Sequence, residues 1–257
     1  MAAFPLSSLN RKLQGKVRWL YLTHPKNVRC NVCGWSGRHF NSDGWHPRTI
    51  CWNCGSSIRH RLLIESLNRI EGLTYREVID GKRVLHFAPE PQLIPLLKLH
   101  AESYRTTDFC RNDLDLKLDL TDMPSIPAGS IDVLIAADVL EHVPDHMRGM
   151  REIFRVLSSG GWAILTVPQP DGLPKTWGDP TITDPGERER LFGQTDHVRL
   201  FGEDTPDLLA SVGFRVRVIE ASNFPSQVVR ENVLFPPLLS NRPLATNHRR
   251  VFFSQKP

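Results

Sequence analysis

The chain has 257 residues, 40% of them hydrophobic and 23% charged, which is the composition of a folded globular protein and excludes wholesale disorder. No stretch approaches the roughly 18 apolar residues of a membrane-spanning helix. Arg11, Lys12, Lys16 and Arg18 break up the start of the chain, so no secretory leader is expected and the expected location is cytoplasmic. The net charge of +4 conceals an asymmetry: residues 1–64 hold ten Lys/Arg against the single acid Asp43, and the remainder carries a net −5. A basic head on an acidic body implies two parts with different roles.

The head contains Cys30-Asn-Val-Cys33-Gly34 and, seventeen residues on, Cys51-Trp-Asn-Cys54-Gly55. This is the spacing of a four-thiolate zinc site. Two residues between thiols let a tight turn aim both sulfurs at one metal, and two such turns complete a tetrahedron. Cysteine at all four positions leaves none open for a catalytic water, so a structural zinc ribbon over 28–57 is expected, behind a basic segment 1–27. Cys110 reads as a buried small hydrophobe. Trp35, Trp45, Trp52 and several arginines surround the cysteines; such interleaving either packs the ribbon or grips nucleic acid. Ile58, Leu62, Leu63, Leu67 and Ile70 recur at helical spacing and predict a helix leading into the body, residues 58–257.

The body alternates strand and helix patterns. Strands are predicted at 83–87, 104–107, 116–118, 130–136, 162–167, 214–219 and 250–254. Helices are predicted at 92–101, 145–157 and 204–212, with Ser159-Gly160-Gly161 and Gly213 as stops. Alternation of this kind implies an α/β fold, a parallel sheet with helices on both faces. Asp108, Asp119 and Asp138 follow successive strands, and open α/β sheets bind ligands outside those carboxyl ends. An acid after the second strand suits a ribose. Two proline-rich inserts, 168–202 and 223–247, interrupt the pattern; the first has the makings of a partly rigid lid.

With these pieces in place, the chain resembles the class I S-adenosylmethionine-dependent methyltransferases, with their Rossmann-like sheet. The resemblance rests on Ser130-Ile-Asp-Val-Leu-Ile, on Asp138-Val-Leu-Glu141-His142-Val-Pro-Asp145 and on Arg155-Val-Leu-Ser-Ser-Gly160-Gly161. A subgroup with an N-terminal four-cysteine ribbon is similar also at Asp179-Pro-Thr-Ile-Thr-Asp184 and at Phe192-Gly-Gln-Thr-Asp196-His197-Val-Arg199. The resemblance implies S-adenosylmethionine as cofactor, held by His86, Phe87, Ala88, Glu90, Asp108, Asp119, Leu120, Ala137 and Asp138. One departure stands out. His86 replaces the usual acid of the first motif, and Ala88, Glu90 and Gln92 stand where glycines are usual, which implies an altered cradle for the methionine end. His142 and His197 are the candidate bases for a hydroxyl acceptor. Asp138, Glu141 and His142 resemble the acidic–acidic–His metal site of ubiquinone-pathway O-methyltransferases, which would suit magnesium. The implied function is O-methylation of a small molecule or saccharide. The alternatives are an RNA methyltransferase whose ribbon grips substrate, as in rRNA guanine enzymes with a zinc module, and a catalytically inactive zinc-dependent interaction protein.

Overall fold

The computed structural model describes residues 26–257; all but the last two residues of the basic segment 1–27 lie outside them. In chain order the elements are β1 (Val28–Arg29), β2 (Ser36–Gly37), α1 (Ile58–Arg69), α2 (Tyr75–Val78), β3 (Arg83–Phe87), α3 (Ile94–His100), β4 (Ser103–Asp108), β5 (Leu116–Lys117) and β6 (Ile131–Ala137). They continue as α4 (His146–Val156), β7 (Leu157–Thr166), β8 (Trp177–Gly178), α5 (Pro185–Phe192), β9 (Arg199–Leu200), α6 (Thr205–Val212), β10 (Arg215–Ile219), α7 (Ser226–Asn232) and β11 (Val251–Gln255).

Seven strands form one sheet in the order β10-β11-β7-β6-β3-β4-β5. Six of them share one direction, and β11 alone runs against it, antiparallel between β7 and β10. The expected Rossmann-like α/β sheet with helices on both faces is therefore present. The strand pattern explains why. Successive residues of a strand point to opposite faces, and here both faces are covered. Val84, Val133, Ile135, Ile164 and Phe253 enter one core; Leu85, Phe87, Leu134, Leu165 and Phe252 enter the other. The second core is closed by α4 and α6 through Met150, Ile153 and Leu209. The first is closed by Leu62, Leu63 and Leu67 of α1 and runs without a break into Cys30, Phe40 and Cys51 of the head.

The head is thus built onto one face of the sheet. Arg61 fixes it there. Its fully buried guanidinium donates to the carbonyls of Thr49 (2.7 Å), Ser56 (2.6 Å), Asn232 (2.7 Å) and Val233 (3.0 Å). One side chain therefore ties the cysteine region, α1 and the second insert together, and α7 of that insert lies beside β1.

Some expectations change. Gly160 and Gly161 do not cap α4: the helix ends at Val156, and β7 begins at once with an irregular register against β6. Gly160 takes φ 76° there, and Gly161 packs so close to the Asp132 carbonyl that a Cβ would sit 2.9 Å from it. Gly213 does end α6, with φ 116°. Cys110 is exposed, so it is no core residue. The first insert is ordered: β8 pairs with β9, and Thr176 donates to Asp204 through its N–H (2.8 Å) and hydroxyl (2.7 Å). Among the described residues no helix is long and apolar enough to cross a membrane.

Candidate active site

Strand order reverses around β3 and β6, so their carboxyl ends open a crevice at the sheet's switch point. Both strands leave the sheet through a left-handed residue that is not glycine: Ala88 has φ 44° and Asp138 has φ 54°. The ladder holds each one, for the Ala88 N–H donates to the Thr107 carbonyl (2.8 Å) and the Asp138 N–H to that of Thr166 (2.9 Å). Alanine at position 88 thus supplies the backbone turn for which glycine is usual. Such a conformation costs a residue with a Cβ about 1–3 kcal/mol. Ala88→Gly is therefore expected to leave stability unchanged or raise it by up to about 1 kcal/mol, and Ala88→Val to lower it by about 2 kcal/mol or more, as read from urea unfolding midpoints. Equal midpoints for the two variants would contradict the assignment.

Glu90 replaces a second glycine, and its carboxylate is turned inward. Oε1 accepts from His60 Nε2 and Oε2 from His86 Nε2, both at 3.1 Å, while Arg59 Nε lies 3.8 Å away. The tautomers follow from the partners of each ring. The Ser57 N–H donates to His60 Nδ1 (3.0 Å); for His86 the carboxylate takes the Nε2 proton, which leaves Nδ1 to accept from the Tyr104 hydroxyl (2.6 Å). Burial alone would raise the Glu90 pKa, but the two histidine bonds override it and hold the carboxyl well below the usual range. Burial pushes the His60 pKa down. The side chain of His86 has no exposed surface, which makes it a support for Glu90 rather than a ligand contact.

Farther along the sheet edge, Asp108 ends β4. Its Oδ1 accepts from the N–H groups of Cys110 (2.7 Å) and Arg111 (3.0 Å), which fixes the carboxylate at the strand end with Oδ2 available to a ligand. Asp119 is held in the same manner by the Thr121 N–H and hydroxyl, both at 2.8 Å. The side chains of Phe87, Leu120 and Ala137 are buried, so these three can offer a ligand only their backbone.

Asp138 faces two guanidinium groups. Its Oδ2 lies 3.2 Å from Arg59 Nη1 and 3.4 Å from Arg249 Nη1, and its Oδ1 accepts from the Thr166 hydroxyl (2.7 Å). These partners correct the expected magnesium site: Asp138 is neutralised by cations and does not join Glu141 and His142. Glu141 instead gathers with His142 and His197. Burial, and then the charge of Asp138, raise the Glu141 pKa well above the usual range. His142 Nδ1 lies 3.3 Å from Asp196 Oδ2, so Asp196 pairs with His142 and not with its sequence neighbour His197. His197 is buried, its Nδ1 donates to the Phe192 carbonyl (3.1 Å), and burial lowers its pKa. A neutral imidazole so held carries its lone pair on Nε2. Arg199, also buried, draws the two segments together by donating to the carbonyls of Leu140 (2.9 Å), Val143 and Pro144 (2.8 Å).

In the head, Cys30 and Cys54 sulfurs are 3.7 Å apart, as are those of Cys33 and Cys51, and all four lie within 4.8 Å of one another. A tetrahedron with zinc–sulfur bonds of about 2.3 Å has edges of about 3.8 Å, so the cluster fits zinc. The two turns match: Gly34 N–H donates to the Cys30 carbonyl (2.8 Å) and Gly55 N–H to that of Cys51 (3.0 Å), at φ 74° and 72°. All four cysteines are free thiols. Burial lowers the Arg61 pKa to about 10, opposed by the charge of these cysteines.

The sequence reading missed Arg59, His60 and Arg249. A signal existed: in a helix where Ile58 and residues 60–67 are all buried, charged side chains must find partners.

Residues 72–165 match the family described as a methyltransferase domain. The chain carries a methyltransferase domain. No curated protein matches the sequence. Among solved structures, the methyltransferase is similar to an S-adenosylmethionine-dependent methyltransferase from Mesorhizobium loti (16% identity, 69% of this chain and 92% of that one, TM-score 0.48). It is also similar to a Bacillus halodurans protein described as a methyltransferase (13%, 79% and 100%, 0.47). A third is the 1,6-didemethyltoxoflavin-N1-methyltransferase of Burkholderia thailandensis, solved with its substrate and S-adenosylhomocysteine (14%, 69% and 72%, 0.46).

Proposed function

We propose that this methyltransferase methylates a hydroxyl of a small molecule or saccharide. The observation that carries the reading is the crevice between β3 and β6, with left-handed turns at Ala88 and Asp138 and an anchored carboxylate at Asp108. S-adenosylmethionine, when bound, supplies a methyl group on a cationic sulfur. Asp108 accepts hydrogen bonds from the ribose hydroxyls, and Asp119 with the Leu120 backbone flanks the adenine. The backbone at Phe87, Ala88 and Ala137 approaches the methionine end, where Arg59 carries the charge that suits a carboxylate. Its Nε has no hydrogen-bond partner of its own. His142, oriented by Asp196, and His197, with its lone pair on Nε2, line the acceptor side and draw the hydroxyl proton. Aligning the reactants supplies most of the acceleration in such an in-line displacement. The test is transfer of labelled methyl to a metabolite extract and, in parallel, to whole RNA; label in the extract alone supports the reading.

One observation favours an RNA acceptor as the second reading. A cavity of about 980 Å³ between the head and residues 227–237 is lined by Lys26, Arg29, Arg38, Arg48 and Arg230 against Glu231 alone. If all five cations track a phosphate backbone, affinity should fall about 100- to 500-fold between 50 and 200 mM salt. An RNA affinity that stays flat with salt removes this reading.

A further inference from the structure

We propose that Glu141, His142 and His197 form a second metal site, distinct from the four cysteines, for a divalent transition-metal ion. One ligand atom from each residue lies within 4.8 Å of the others. The carboxylate of Glu141 is 1% exposed, and neither of its oxygens has a hydrogen-bond partner. A buried carboxylate without a partner is costly, and it is aimed at two imidazoles that could share a cation with it.

The second observation concerns the far side of each ring. Histidines that ligate metals donate their other N–H to a carboxylate or a carbonyl, which fixes ring and tautomer. His197 does so with the Phe192 carbonyl through Nδ1, and His142 has the Asp196 carboxylate 3.3 Å from its Nδ1 to play the same part. Nε2 of each is then the atom left for a metal. The rings meet edge to face with centroids 4.8 Å apart.

The scaffold is preorganised. The Val198 N–H donates to the Glu141 carbonyl (3.0 Å), and Arg199 holds the carbonyls of Leu140, Val143 and Pro144. The two ligand-bearing segments are therefore fixed before any ion arrives. His142 is half-exposed, which gives the ion an entry path. Two imidazoles and one carboxylate suit zinc, iron, manganese or cobalt better than magnesium, which prefers oxygen donors. Three protein ligands leave coordination positions for an exogenous oxygen, and the site lies on the side of the crevice assigned above to the acceptor. With both Nε2 atoms on an ion the imidazoles would no longer take the acceptor's proton, and the ion would replace them in activating the hydroxyl; that role rests on the proposed function, and the binding does not.

The test uses the full chain with zinc in its cysteine site, equilibrated with Co²⁺ and, in separate samples, with Zn²⁺ and Mn²⁺. Metal content and cobalt absorption are measured after removal of free ion. The expected result is two metal equivalents per chain, the second giving cobalt d–d bands without thiolate charge transfer. His142→Ala, at a half-exposed position, should fall to one equivalent and keep its fold by circular dichroism. Glu141→Gln should weaken cobalt binding at least tenfold. A wild-type chain that retains one equivalent with all three ions overturns the proposal, as does an alanine variant that retains two. S-adenosylmethionine calorimetry on the same samples separates the readings: binding of the cofactor without a second ion sinks this site alone.

Discussion

Cys51→Ser is expected to cost the chain both its head and most of its cofactor affinity. A structural zinc contributes on the order of 10–16 kcal/mol of apparent binding free energy to the segment that folds around it. Loss of one thiolate removes much of that. The damage then travels through named contacts. Thr49 and Ser56 supply two of the four carbonyls that hold Arg61, and both lie within a few residues of Cys51 and Cys54. Helix α1 starts at Ile58, immediately after the second cysteine turn, and its first turn carries Arg59 and His60 to Asp138 and Glu90. Without the head, Arg61 is a buried cation short of partners, and the start of α1 loses its footing. Circular dichroism should show a lowered melting temperature, and calorimetry should show S-adenosylmethionine affinity reduced at least tenfold. Wild-type values for both would separate the head from the site.

Glu90→Ala is expected to destabilise the chain by about 3–5 kcal/mol, because it strands two buried N–H donors and removes a counter-charge of Arg59. Glu90→Gln should cost far less, about 1–2 kcal/mol. The difference follows from the tautomers. His60 Nδ1 is occupied by the Ser57 N–H, so His60 must donate from Nε2, and the glutamine oxygen can accept that bond. His86 faces a hydroxyl at Tyr104, which can rotate to accept; His86 can then protonate at Nδ1 and accept the glutamine N–H₂ at Nε2. The acid limb of stability should change as well. Glu90 has a folded pKa below its unfolded value, so its contribution is complete above about pH 4.3 and is lost as pH falls below that. His60 has a depressed pKa, so the unfolded chain takes up its proton first, below about pH 6.5, and stability falls over that range too. Both tilt stability the same way, and Glu90→Gln should flatten the lower part of the slope. Urea unfolding at pH 4, 5.5 and 7 measures it; an unchanged slope would contradict the assignment of Glu90.

The central parallel strands were legible because they are short apolar runs buried on both faces, as in Val84-Leu85-His86-Phe87 and Ile131–Ala137. The strand-end acids Asp108, Asp119 and Asp138 were legible as a series. What hid from the sequence was long-range pairing. Periodicity placed α1 correctly but said nothing of Arg59 and Arg249 converging on Asp138 from opposite ends of the chain. The resemblance grouped Asp138, Glu141 and His142, but the left-handed turn at Asp138 sends its carboxylate toward the guanidinium groups and away from the other two. Asp196 looked like a neighbour of His197, yet the chain reversal before β9 hands it to His142. The glycine-poor first motif read as an altered cradle, and the structure shows how it is altered. It keeps the turn through Ala88 and uses Glu90 to bind the helix that follows the cysteines.

Cofactor binding by titration calorimetry tests the central claim most directly. Wild type should bind one S-adenosylmethionine per chain. Asp108→Ala, which removes a charged acceptor for two ribose hydroxyls, should weaken binding about 10- to 100-fold, or roughly 1.4–3 kcal/mol, with the chain still folded and only a small drop in melting temperature, because the two N–H groups it releases are exposed to water. Absence of heat with the wild-type chain, or equal affinity in the Asp108→Ala variant, would contradict the account.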